Sequence, residues 1–258
     1  MLKPRLIPCL LVHDGGLIKT RAFREPKYVG DPLNAVRIFN EKEVDEMLVL
    51  DIDASRYNRE PDYKLIANLA SECRMPLCYG GGVQTIEQFE KIVGLGVEKV
   101  AIASAAIKTP ELVSSAASRV GSQSVVAVID AKKSGIFRNQ EVFINNGKEK
   151  TGLKPSSLAS ELENLGAGEI VLNSIDHDGM MDGYDFELID SVRDAISTPL
   201  TVLGGAGSLD DISSLYKRYG LIGAAAGSLF VFKGKYRAVL ISYPNQNEKD
   251  ALHSYRQT

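Results

Sequence analysis

Residues 198–207 read TPLTVLGGAG, and this stretch decides the fold. It consists of a proline, a short apolar run and a glycine cluster, and residues 208–211 then open a helical pattern. A short apolar run bounded by turn residues is typical of a buried parallel strand. Glycines at the end of such a strand let backbone N–H groups approach a ligand, and the following helix start favours an anion. The stretch therefore predicts a strand that ends at a phosphate-binding turn.

The same arrangement occurs in residues 75–82, which read MPLCYGGG. The two glycine runs begin at residues 80 and 204, close to half the chain length apart. Three further pairs of segments resemble each other: 48–53 and 171–176, 61–66 and 183–189, 100–104 and 224–228. These repeats predict a duplicated half-barrel with two similar phosphate sites on opposite sides of one mouth. We therefore expect the ligand to be a phosphate-bearing small molecule.

Eight strand-then-helix units can be placed along the chain. The strands are predicted at 6–12, 46–53, 76–80, 99–103, 124–130, 169–174, 200–203 and 221–226. The helices are predicted at 33–40, 62–73, 86–93, 110–118, 156–165, 186–195, 209–219 and from 227 onward. This alternation indicates parallel βα units. Eight such units predict an α/β protein with a single closed (β/α)8 TIM barrel.

The predicted barrel spans residues 1–243, and residues 244–258 are predicted to form a loose, polar C-terminal tail. Two long excursions, 14–31 and 131–155, follow the first and fifth strands, where barrels place lids. The second excursion contains the turn signal NNG at 145–147. The alternative fold is an open doubly wound sheet, but no dinucleotide fingerprint follows the first strand.

Composition narrows the classes of partner. The chain has 258 residues, 44% of them hydrophobic, and a formal net charge of −3. It therefore lacks the basic surface expected of a nucleic-acid-binding protein. No apolar stretch approaches the roughly 20 residues of a membrane helix. Three cysteines cannot form a fully paired disulfide framework, which predicts reduced thiols and a cytoplasmic location. Three histidines without zinc-site spacing predict no metal, and we expect no cofactor.

Acidic residues at the carboxyl ends of strands are candidates for chemistry, because barrel active sites lie on that face. Asp130 is the favoured acid/base, since it ends an apolar strand and burial raises a carboxyl pKa. Asp51 and Asp176 occupy comparable strand ends, and Gly179 follows the second of them closely.

Other residues are candidates for binding phosphate. Lys19 lies in the first excursion, and Gly82 and Ser104 follow strands of the first half. Gly205, Gly227 and Ser228 are their counterparts in the second half. Backbone N–H groups and hydroxyls at such positions are suitable donors to phosphate oxygens.

A second group of charged residues lies at the opposite face of the predicted barrel. Arg5, Glu46, Lys99 and Glu169 each stand at or beside the start of a strand. Alternating charges from four strands predict a salt-bridged ring that closes the bottom of the barrel.

The chain resembles the cyclase subunit of imidazole glycerol phosphate synthase over nearly its whole length. The motifs that carry the resemblance include GDP at 30–32, GGG at 80–82, IDAK at 129–132, SIDHDG at 174–179 and GGAG at 204–207. The resemblance implies a duplicated (β/α)8 barrel that receives ammonia from a glutaminase subunit and cyclises a nucleotide intermediate. It makes the charged ring the ammonia gate and the strand-start face the glutaminase dock.

One position departs from the family pattern. The family places an acid/base aspartate at the end of strand one, and this chain has Leu11 there. Losing a general acid/base typically costs a factor of about 10² to 10⁴ in rate. Ala101 and Ala103 also replace polar residues that the family usually carries in the fourth-strand loop. The resemblance alone therefore leaves it open whether this chain is an enzyme.

This combination resembles cyclase-like proteins of surface-polysaccharide gene clusters. The resemblance implies a glutaminase partner, a sugar amidotransferase and a role in amidating a lipopolysaccharide sugar. One alternative is a histidine-biosynthesis cyclase in which His13 or Asp14 supplies the missing acid. A second alternative is a non-catalytic ammonia conduit.

Overall fold

Eight parallel strands close into a barrel in the computed structural model, which describes residues 3–253. We name these strands β1 to β8: Arg5–His13, Met47–Asp51, Leu77–Gly80, Lys99–Ile102, Val125–Ser134, Glu169–Ser174, Leu200–Leu203 and Gly223–Ala226. Each strand pairs with the next, and β8 pairs with β1, with Arg5 opposite Gly223. The predicted (β/α)8 TIM barrel is confirmed, and this closing pair rules out an open sheet.

The barrel has two apolar layers because side chains alternate along each strand. Inward residues such as Ile7, Cys9 and Val128 form a cluster that fills the barrel interior. Outward residues such as Leu6 and Leu10 pack in a larger cluster beneath the helices. This arrangement turns the side chain of every second strand residue towards the barrel axis.

Among the described residues, eight outer helices surround the strands. We name them α1 to α8: Pro32–Glu41, Tyr63–Glu72, Ile86–Gly94, Glu111–Val120, Pro155–Asn164, Phe186–Arg193, Leu209–Tyr219 and Gln246–His253. Thr85 and Ser208 begin α3 and α7 with reciprocal capping boxes. The glycine pairs before these helices, at 81–82 and 204–205, all have positive φ angles. The two halves of the barrel therefore repeat the same local structure.

The C-terminal part differs from its prediction. Between residues 227 and 243 the chain forms only the short helix Ser228–Val231 and a hairpin between Phe232–Lys233 and Ala238–Val239. The eighth outer helix instead lies within the stretch predicted as a loose tail. There Leu252 is buried, and the Lys249 ammonium binds the Glu43 carbonyl and the Asp45 carboxylate. Residues 254–258 lie outside the described residues.

The two predicted excursions are ordered hairpins. The first pairs Gly16–Arg21 with β1 and with Arg24–Gly30. The second extends β5 to Ser134 and pairs it with Asn139–Ile144. Its predicted NNG turn is confirmed, since residues 145–147 all have positive φ angles. In the described part of the chain, no helix is long and apolar enough to cross a membrane.

Candidate active site and ring

A cavity of about 500 Å³ opens where the barrel strands end. The structure brings nine of the ten candidate binding and catalytic residues to its wall: Lys19, Asp51, Gly82, Ser104, Asp130, Gly179, Gly205, Gly227 and Ser228. The tenth, Asp176, is not among the lining residues. Its carboxylate accepts a hydrogen bond of 2.9 Å from the Lys133 backbone N–H, so it braces the β5 hairpin.

Asp130 points inward at the mouth end of the barrel interior. Its Oδ1 accepts a hydrogen bond of 2.8 Å from the Asn173 side-chain amide on β6. Burial raises the pKa of Asp130 to about 6, opposed by this hydrogen bond and aided by the charge of Asp178. A carboxyl with that pKa can donate or accept a proton near neutral pH.

The wall of the mouth cavity has an apolar side near Asp130. Leu11 from β1, Leu50 from β2 and Ala103, directly after β4, pack against the interior cluster and line the cavity. None of these three side chains can transfer a proton. The expected second acid/base position on β1 is therefore occupied by hydrocarbon, while Asp130 and Asn173 supply the polar side.

His13 also lines the cavity, two residues beyond Leu11 on β1. Its Nδ1 lies 2.9 Å from an Asp53 carboxylate oxygen, and the other oxygen accepts from the Asp14 backbone N–H at 2.8 Å. Although burial alone would raise the pKa of Asp53, these two contacts hold it below its usual value. Possible ligand atoms of His13, Asp14 and Asp53 lie within 4.8 Å of one another.

Lys19 is buried next to Gly227, in what we call the second glycine site, which comprises Gly205, Gly227 and Ser228. Its ammonium donates to the Cys9 carbonyl, and a side chain added at Gly227 would collide with it. Burial lowers the pKa of Lys19, although the nearby Asp178 opposes this shift. A Cβ at Gly227 would therefore displace the lysine head from its position beside the glycine.

The second glycine site is built from β7 and β8. Gly205 has φ +112° and packs against the Gly183 carbonyl, so no side chain fits there. The Ser228 hydroxyl accepts from the Arg237 guanidinium at 3.2 Å, and Arg237 also donates to the Gly179 carbonyl at 3.0 Å.

The first glycine site is built from β3 and β4. The Gly82 N–H donates to the Ser55 hydroxyl at 3.2 Å, and the Ser104 hydroxyl accepts from the Asn145 N–H at 3.2 Å. Its Gly82 and Ser104 groups therefore already have partners within the protein. Asp51 caps the short helix Ile52–Arg56 through the Asp53 and Ala54 N–H groups.

The four charged residues at the strand starts form a closed ring. Arg5 binds Glu46 at 2.5 Å and Glu169 at 2.8 Å, and Lys99 binds both carboxylates at 2.8 Å. The predicted salt-bridged ring is confirmed as geometry. Burial would raise the pKa of Glu169, but the charges of Arg5 and Lys99 outweigh it and hold the pKa below its usual value.

Directly above the ring lies a small cavity of about 10 Å³, lined mostly by apolar residues that include Ile7, Leu48 and Val126. A space of this size is near the minimum for one small polar molecule. The interior cluster then continues upward through Cys9, Leu203 and Val128 towards the mouth. The ring and the mouth therefore lie at opposite ends of one apolar axis.

Three site residues escaped sequence analysis. Thr201 joins the ring, since its hydroxyl donates to Glu169 at 2.5 Å. Asn173 pairs with Asp130, and its Oδ1 has no partner among the described residues. Strand alternation would have found both, because each points inward on its strand. Arg237 lies on a hairpin that carries no comparable signal.

Comparisons with known proteins agree with this geometry. Residues 5–237 match the histidine biosynthesis protein family. A relative from Leptospira interrogans, provisionally named imidazole glycerol phosphate synthase subunit HisF, is 57% identical over 252 residues, covering 98% of this chain and 99% of its own. A provisionally named hisF2 subunit from Pseudomonas aeruginosa is 54% identical and covers 97% and 99%. The HisF subunit of Lactococcus lactis strain IL1403 is 40% identical and covers 89% of each chain.

Proposed function

The chain belongs to the histidine biosynthesis protein family, with the HisF-type cyclase subunits of imidazole glycerol phosphate synthase, and from this premise we propose its own role. It is the synthase subunit of a glutamine amidotransferase. It receives ammonia at the strand-start ring from a glutaminase subunit and releases it at the mouth. The final acceptor is a surface-polysaccharide sugar.

One observation supports the proposal. The salt-bridged ring closes one end of the apolar barrel interior, and a polar cavity opens at the other end. Neutral ammonia crosses apolar surroundings more readily than ammonium, because a charge without partners is costly to bury. Opening the ring requires one of its ion pairs to separate. Its residues therefore gate entry, and the apolar interior excludes charged species.

The side chains at the mouth differ in whether they can transfer a proton or bind an anion. Asp130 holds or releases a proton near neutral pH, and Asn173 orients its carboxyl group. Lys19 and the backbone around Gly205 and Gly227 bind an anionic group. Leu11 gives no proton, so the chain lacks half of the acid/base pair that its family resemblance implies.

The sugar-amidation role rests on Leu11 together with the pattern of similarity. The chain is 54–57% identical to relatives with provisional names, including subunits numbered hisF2 and hisF3. It is only 38–41% identical to three Lactococcus proteins and one Natranaerobius protein named HisF without qualification. This gap supports a branch whose chemistry has diverged.

A second candidate function is histidine-pathway cyclisation, and the contact between His13 and Asp53 favours it. A histidine oriented by a carboxylate is a common general base. Its place at the cavity wall allows it to act where Leu11 does not.

Co-expression with a glutaminase subunit tests the proposed role. We expect the chain to co-purify with that subunit and to raise glutamate release from glutamine several-fold. Gln123, exposed beside the strand-start face, is the site for a blocking substitution, Gln123→Trp. That variant is expected to lose the stimulation. Arg138→Glu, exposed on the β5 hairpin at the opposite face, is the matched control.

An unchanged rate of glutamate release with the unmodified chain would contradict the ammonia-receiving role. Equal loss of stimulation in both variants would contradict docking at the strand-start face.

A further inference from the structure

Positive groups outnumber carboxylates around the second glycine site. Lys19 lies beside Gly227, and the Arg237 guanidinium lies on Ser228. Arg21 is close enough to lower the pKa of Arg237, after the larger effect of burial. Asp178 is the carboxylate whose charge acts on both Lys19 and Arg237. This cluster therefore retains a net positive charge.

Arg237 stands on the hairpin between Phe232–Lys233 and Ala238–Val239. Its backbone has φ +50°, an uncommon conformation for a residue with a side chain. Only Nη2 of its guanidinium is engaged, with the Gly179 carbonyl and the Ser228 hydroxyl. Within residues 3–253, Nη1 and Nε form no hydrogen bond and no carboxylate forms an ion pair with the side chain. The guanidinium can therefore accommodate an additional acceptor.

An arginine fork suits phosphate because it presents parallel N–H donors in one plane. Contacts outside the second glycine site also hold Arg237 in place. Its guanidinium carbon lies 4.8 Å from the centroid of the Phe232 ring, and the Lys27 ammonium donates to the Arg237 carbonyl at 2.8 Å. These contacts connect it to both the C-terminal hairpin and the first hairpin. The donor group is therefore oriented before any ligand arrives.

We propose that Arg237 is an anion-binding residue of the second glycine site. Together with the Ser228 hydroxyl and the Lys19 ammonium, it holds a phosphate monoester in its dianionic form. The inference deepens the proposed function, since it concerns the phosphate-bearing ligand of the same mouth. At the first glycine site the Ser104 hydroxyl accepts from the Asn145 backbone N–H rather than from a guanidinium.

Titration with inorganic phosphate tests the proposal, followed by the amide NMR signals of each site separately. Arg237→Asn removes the guanidinium, and asparagine tolerates a positive φ. We expect it to weaken phosphate binding about tenfold at the Gly205 and Gly227 amides, as expected for loss of one hydrogen bond to a charged group. The Gly82 and Ser104 amides are expected to titrate as in the unmodified chain.

Lys235→Asn is the matched control, since Lys235 is an exposed cation on the same hairpin. It is expected to change phosphate affinity less than twofold. Arg237→Lys keeps the charge without the fork and is expected to give an intermediate affinity. This variant also decides the matter if Arg237→Asn disturbs the hairpin.

Unchanged phosphate affinity in both Arg237 variants would overturn the proposal. So would equal weakening by Lys235→Asn, because that result indicates a general charge effect. Stimulation of the glutaminase depends on the opposite face and is measured on the same variants. Failure of phosphate binding is thereby distinguished from failure of the proposed function.

Discussion

The two ends of the barrel treat charge in opposite ways. At the strand starts, each of two cations binds both of two carboxylates, so the ring is balanced within the protein. At the second glycine site of the mouth, Lys19 and Arg237 bind carbonyls and a hydroxyl, and Asp178 is the carboxylate whose charge acts on both. The comparison indicates that the ring is complete by itself, whereas we propose that an anionic ligand completes the second glycine site.

Glu169→Leu disrupts the salt-bridged ring at the strand starts. We expect it to have the largest effect on the free energy of unfolding. It leaves Arg5 and Lys99 to share Glu46, in a place where Glu169 is only 5% exposed. Removing one partner of a buried ion pair costs about 3–5 kcal/mol. We expect a loss of that size in the free energy of unfolding, measured by urea denaturation.

Glu90→Leu is the control for this substitution, because the pair of Glu90 and Arg119 lies on exposed helix surfaces. It is expected to cost about 0–1 kcal/mol. A similar small cost for Glu169→Leu would show that the ring does not depend on its internal pairing.

Asp130→Asn tests whether the mouth, unlike the ring, holds a carboxylate whose charge has no cationic partner. Because the pKa of Asp130 is raised to about 6, the folded protein holds this proton at a higher pH than the unfolded chain does. That stabilisation is present below about pH 4 and is lost as the pH rises through 6. Asparagine does not ionise, so the variant does not lose stability as the pH rises. We therefore expect it to be about 1–2 kcal/mol more stable than the unmodified chain at pH 8.

Urea denaturation at several pH values measures this difference, which is expected to shrink as the pH falls towards 4. Asp210→Asn, at an exposed position in the first turn of α7, is the control and is expected to show no such trend through pH 6. An Asp130→Asn variant less stable than the unmodified chain at pH 8 would contradict the burial of a costly charge at the mouth.

Much of this molecule follows from local sequence patterns. Alternation and glycine placement predict the closed barrel, and parallel strand ends bring Lys19, Asp130 and Gly205 to one cavity. The ring is predictable for the same reason, since strand starts meet at one face. Each of these inferences depends only on the direction and order of strands.

Features set by long-range packing are harder to predict. The helix at Gln246–His253 has a polar sequence, and it is held by contacts of Lys249 with residues near position 44. Arg237 reaches Ser228 because its hairpin folds back towards the short helix Ser228–Val231. The strand-end position of Asp176 predicts a binding role, yet its carboxylate accepts from the Lys133 backbone N–H.

Cyclisation of the histidine-pathway nucleotide substrate with free ammonia tests the central claim most directly. It compares the unmodified chain with Leu11→Asp and with the double variant Leu11→Asp, Asp130→Asn. We predict very weak or no turnover for the unmodified chain, a gain with Leu11→Asp and loss of that gain in the double variant. Turnover by the unmodified chain at an ordinary enzymatic rate of about 1–10³ per second would contradict it.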